Sequence, residues 1–125
     1  MNDFLVLTNN PMVRDAFPVQ TEYMNGTPVA VLESGMEHVL QGWRLVGSPL
    51  PPNSALIKGP FRTLVLEEGI SEVTSTRDIL LLEKALQKTR DLGTREIDPN
   101  RKDLGEDYAY MDLDHIRNMI GEGDD

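Results

Sequence analysis

Residues Phe4-Leu5-Val6-Leu7 form an unbroken apolar run that passes directly into Thr8-Asn9-Asn10-Pro11. A strand covered on both faces reads as a continuous run, whereas a half-exposed strand alternates. An asparagine ahead of a helix caps it with its side chain, and a proline in the first turn forfeits no hydrogen bond, because that N–H has no partner within the helix. The stretch therefore specifies a buried central strand, a polar turn and a helix over Pro11 to Phe17, stopped by Pro18. Any fold built on it needs a layer on each side of that strand.

The rest of the chain supplies those layers. Val19 to Met24 alternates, the pattern of a strand with one exposed face, and Asn25-Gly26 turns the chain. Thr27-Pro28 repeats the cap-then-proline start. Val31, Leu32, Met36, Val39 and Leu40 fall on one helical stripe that ends before Gly42, which gives a helix over Pro28 to Gln41. Gly35 in its middle costs about 1 kcal/mol relative to alanine, so either a neighbour packs close there or the helix is weakened. Trp43 to Gly47 is the third strand and Phe61 to Glu67 the fourth. Between them Ser48-Pro49-Leu50-Pro51-Pro52-Asn53-Ser54 is stiffened by three prolines in seven residues. Ser75 with Asp78 begins a third helix that runs to about Arg90. Its apolar residues point to more than one side, so it is either sandwiched within the fold or shared with a second copy in a homodimer through Ile79, Leu82 and Leu86.

This order of elements predicts an α/β fold: a small Rossmann-like three-layer sandwich, with a mainly parallel four-stranded sheet of order 2-1-3-4 and helices on both faces. Residues 1–90 make the α/β domain, and 91–125 an acidic C-terminal extension with one short helix, Leu113 to Ile120, capped by Asp112. The formal charge of −9 is unevenly placed: 10 acidic against 8 basic residues up to position 90, and 11 against 4 beyond it. No Lys/Arg stripe is present to hold a polyanion, which argues against a nucleic-acid partner. The chain has no cysteine, which removes disulfides, thiolate catalysis and thiolate-bound metal. No apolar run approaches the ~18 residues of a membrane span and no export signal precedes the first strand, so a soluble cytoplasmic protein is expected.

In an open α/β sheet, ligands sit outside the carboxyl ends of the strands where the strand order reverses. In the order 2-1-3-4 that point lies between strands one and three, which brings Thr8, Asn9 and Asn10 beside Ser48 and Asn53. These five are the candidate ligand-binding residues. Their hydroxyls and amides, with the N–H groups that open the first helix, suit a small anion or a partner segment. Arg44, Lys58 and Arg62 are basic residues able to add charge, although the sequence does not place them. An architectural account competes, in which Asn10 only caps a helix and the prolines only stiffen a loop. Catalytic signatures are thin. His38 falls in the second helix and His115 in the acidic tail, neither spaced with carboxylates as metal ligands are, so both read as surface histidines and no metal site is expected. No phosphate loop, dinucleotide fingerprint or nucleophile elbow occurs, so the sequence names no cofactor, and an enzyme here would draw its chemistry from a bound cofactor of unknown kind or from Asn and Ser groups. Asp112-Leu113-Asp114 lacks the glycine and glutamate spacing of a calcium loop.

The opening Leu5-Val6-Leu7-Thr8-Asn9-Asn10-Pro11-Met12-Val13, then Gly42 with Leu45, Pro49-Leu50, Pro52-Asn53 and Pro60-Phe61-Arg62 ahead of an apolar strand, resembles GrdX. That family comprises small proteins encoded alongside the selenium-dependent glycine, sarcosine and betaine reductases of anaerobic bacteria. The resemblance covers about residues 4–90 and leaves the tail outside. Ser48 stands where the family often has a histidine, and the link from Asn53 to Pro60 is longer here, so no role resting on that histidine transfers. The resemblance implies a cytoplasmic association with amino-acid reductase systems, with a reductase-system protein as a partner, and it implies no reaction and no catalytic residue. Three functions fit these residues: an accessory or binding protein with a small-anion or partner site between the loops after strands one and three; a small enzyme acting on an amino-acid-derived metabolite; or an interaction subunit working through its acidic tail.

Overall fold

The computed structural model describes residues 4–52, 54–69, 75–94 and 100–121. Four strands and five helices alternate along them. They are β1 (Phe4–Thr8), α1 (Pro11–Ala16), β2 (Thr21–Tyr23), α2 (Pro28–Leu40), β3 (Trp43–Leu45), α3 (Ser54–Ile57), β4 (Thr63–Glu68), α4 (Thr76–Leu92) and α5 (Lys102–Met119). Local chemistry sets several boundaries. Asn10 accepts from the Met12 N–H, Thr27 from Ala30 and Ser75 from Asp78, so α1, α2 and α4 each open on a side-chain cap.

The mainly parallel sheet of order 2-1-3-4 does not form. The order is β2-β1-β4-β3, with β1 parallel to β2 but antiparallel to β4, and β3 antiparallel to β4. Two physical causes account for the difference. A parallel return from β3 to β4 needs a crossover, usually a full helix, and that connection contains only the four-residue α3. The inner position also goes to the strand that needs cover on both faces. Thr63 to Leu66 are all buried, whereas β3 exposes Arg44, so β4 pairs along the whole of β1, Phe4 with Glu67 through to Thr8 with Thr63, and β3 is left at the edge.

Alternate residues of the two inner strands divide the core. Leu7, Leu64 and Leu66 pack with Val31, Leu32 and Val39 of α2 and Leu82, Ala85 and Leu86 of α4. Val6 and Val65 point to the other face, against Val13 of α1, Phe17 just past its end, and Leu113 and Ile116 of α5. Leu82 and Leu86 are therefore enclosed by this chain's own core and Ile79 packs against it, while Leu80 is exposed. A Cβ on Gly35 would run into the Cδ1 of Leu64, which explains a glycine in mid-helix: α2 lies directly on β4 there.

The C-terminal helix is longer than the short segment capped by Asp112. It has 18 residues, places Asp112 in its middle, and contributes Ala109, Leu113 and Ile116 to the interior. Its far end seats Met119 against Gly47, whose φ of 76° favours glycine and where a Cβ would crowd the Met119 side chain. Among the described residues no helix is long and apolar enough to cross a membrane.

Candidate functional site

Because β1 and β3 both run antiparallel to β4, the ends of β1 and β3 and the start of β4 lie along one edge of the sheet. Thr8-Asn9-Asn10 leaves that edge beside Arg62-Thr63, and the middle of α5 crosses above. β4 stands between β1 and β3, so the crevice expected between the first and third strands is filled by another strand. The polar residues meet instead around Arg62 and Asp112.

Thr8, Asn9 and Asn10 are buried, and each uses its side chain to hold other parts of the chain. Asn9 Oδ1 accepts from the Arg62 N–H at 2.9 Å, and its Nδ2 donates to the carbonyls of Gly26 (2.8 Å) and Pro60 (2.9 Å). Asn10 accepts from Met12 and donates to the Ala109 carbonyl (2.9 Å) and to Asp112 Oδ2 (3.0 Å). Thr63 donates to the same Asp112 oxygen at 2.6 Å, and the Thr8 hydroxyl lies 2.7 Å from that of Thr63. Each hydroxyl carries one proton, so with Asp112 ionised the order is Thr8 to Thr63 to Asp112. With a proton on Oδ2 it reverses, and Thr8 donates to the Arg62 carbonyl, 3.3 Å away. The network is satisfied in either state.

Arg62 is only 2% exposed. Its Nη2 donates to the Ile57 carbonyl at 2.8 Å, but its Nε has no hydrogen-bond partner among the described residues. Burial lowers its pKa and the nearby Asp112 charge opposes that shift. Asp112 is half-buried as a residue, yet loss of solvent around the carboxyl pushes its pKa up, against the opposing effects of Thr63, Asn10, Arg62 and His115. The two groups wall a cavity of about 10 Å³ with Phe61, Tyr108, Met111 and His115, the room of roughly one water-sized atom. The cavity opens beside a groove of about 310 Å³ between α3 and α5, and Leu56, Tyr108 and Met111 line both. Gly59 allows this: a Cβ there would lie 2.7 Å from the Tyr108 ring.

The other candidates are spread out. Ser48 is exposed, and its hydroxyl accepts from the Leu50 N–H and contacts the Leu50 carbonyl, closing its own turn. Asn53 lies outside the described residues. The proline loop reaches the cavity through Pro51. Arg44 and Lys58 are exposed. His38 is half-buried rather than superficial, with Nδ1 2.7 Å from the Ser34 carbonyl, Nε2 3.5 Å from Glu22 and its ring edge-on to Trp43. His115, read as solvated, faces the cavity with Asp112. A helical count from Tyr108 through Met111 and Asp112 to His115 places all four on one face, and that was the signal available for them. Among the described residues no group of three or more His, Cys, Asp or Glu side chains is arranged to hold a metal.

No curated protein and no solved structure matches this chain. A family model described as GrdX-like protein matches residues 5–121, a span that runs from β1 through the whole of α5, so the chain belongs to the GrdX-like family.

Proposed function

We propose that this GrdX-like chain is an accessory binding protein that holds a small anion where Arg62 meets α5, in the service of glycine, sarcosine or betaine reductase metabolism. Family membership supports the metabolic setting. The anion rests on one observation, the buried Arg62 side chain, which lines the small cavity and whose Nε–H has no hydrogen-bond partner among the described residues. A buried cation is costly unless paired, and the nearby carboxyl of Asp112 accepts from Thr63 and Asn10 and is itself shifted toward its neutral form. A ligand carboxylate supplies the missing acceptor and charge together. In this reading Thr8, Asn9 and Asn10 serve the ligand by fixing Arg62 and Asp112.

Titration with acetate, glycine and betaine, followed by backbone amide shifts and thermal unfolding, tests the assignment. Acetate is expected to move the amides around Arg62, Tyr108 and His115 and to raise the unfolding midpoint. Arg62→Gln, shown by circular dichroism to be folded, is expected to lose both effects; should it not fold, His115→Ala is expected to weaken them. No shift with any of the three compounds would overturn the reading.

A second reading is a small enzyme acting on an amino-acid-derived metabolite. It is favoured by a carboxyl displaced toward neutrality in contact with a cavity that also holds a histidine, the arrangement of a general acid. Turnover abolished by Asp112→Asn in a folded protein would select it.

A further inference from the structure

The small cavity and the larger groove share three walls, which constrains the body of the ligand as well as its head. We infer that the ligand is a monocarboxylate with an apolar body, one oxygen of its carboxylate meeting the Arg62 guanidinium and its carbon chain lying in the groove between α3 and α5. The inference rests on the anion reading above and narrows it. A cavity of about 10 Å³ admits one oxygen and little more, so the remainder of the molecule has to leave past Leu56, Tyr108 and Met111. It then enters a groove of about 310 Å³ whose other walls are Ala55, Leu104 and Asp107, a volume at the lower end of small-ligand sites.

Asp107 is the one charged residue among the groove's lining residues, and Tyr108 adds a hydroxyl to four aliphatic side chains. An apolar chain loses contact with water there, while a second carboxylate on the chain would bring a like charge into the groove that Asp107 lines. The chemistry therefore selects one charge at the head and none at the tail. The inner groups divide the work: Arg62 binds the head, and Asp112 admits it when neutral and repels it when ionised, with His115 and Tyr108 the other titratable groups on that wall.

The test is a series of affinities for acetate, butyrate, hexanoate, hexanol and adipate, read by calorimetry or amide shifts. Each methylene buried in the groove is expected to tighten binding roughly three- to four-fold, so hexanoate exceeds acetate by more than an order of magnitude. Hexanol, without the charge, and adipate, with a second one, are both expected to bind more weakly than hexanoate. Leu104→Asp should flatten the series, with Ala55→Asp as the replacement should that variant not fold. Acetate bound through Arg62 with no gain for hexanoate would overturn the groove assignment and leave the anion reading standing. Failure of every carboxylate would remove both. Equal binding of hexanol and hexanoate would mean partition into an apolar surface, and equal binding of adipate would remove the selection against a second charge.

Discussion

Asp112 ties binding and stability to the same proton. Its pKa is raised in the fold, chiefly by burial, so the folded chain holds that proton more tightly than the unfolded chain. Stability from this group is therefore fully present at acidic pH and is lost as pH rises through the folded value. Asp112→Asn imitates the protonated form while keeping an oxygen for Thr63 and Asn10. The variant's unfolding free energy, from urea titrations across pH, is expected to match the wild type at acidic pH and to exceed it above the folded pKa. Carboxylate affinity is expected to follow the same direction, falling as pH rises in the wild type and staying flatter in the variant. Asn9 is a simpler case. Asn9→Ala leaves the Arg62 N–H and the Gly26 and Pro60 carbonyls without their partner, an expected loss of about 2–4 kcal/mol in the same titrations. Thr8, Asn9 and Asn10 were legible as special because short polar residues crowd a strand end. Their partners Arg62, Ala109 and Asp112 were not, because a local pattern carries no information about contacts 53 to 102 positions away.

At the level of elements, caps and periodicity located β1, α1, α2 and α4 closely, since each is fixed by neighbours in the chain. Strand order was not legible. The apolar run at β4 shows that it needs two covered faces, but only the three-dimensional competition between β3 and β4 decides which of them lies beside β1. The length of α5 was hidden for a related reason: Asp, Glu and Gly dilute its apolar stripe, and its fit to α1 and β4 supplies what propensity does not. Gly35 is the element-scale prediction. In an exposed helix, Gly→Ala gains about 1 kcal/mol. Here the new methyl meets Leu64, and the substitution is expected to destabilise by roughly 1–3 kcal/mol. Gly35→Ala with Leu64→Ala should recover more than the two separate losses predict, which a double-mutant cycle measures.

Across the whole molecule, two core clusters sit on opposite faces of one sheet, and α5 closes the second of them. Removing residues 101–121 would uncover Val6, Val13, Phe17 and Val65 and leave Asn10 and Thr63 without Asp112. The shortened chain is expected to bind a hydrophobic dye and to lose its cooperative unfolding transition, as fluorescence and calorimetry would record. The pairing of β1 with β4 has a consequence for how the protein is made. β1 has its central neighbour some 55 residues later in the chain, Thr8 opposite Thr63, and α5, which covers one face of that pair, follows later still. A nascent chain stalled before α5 thus has its strands and one covered face but leaves Val6, Val13, Phe17 and Val65 open, so such chains should be captured by chaperones or cleared by proteases, and copies that include α5 should accumulate.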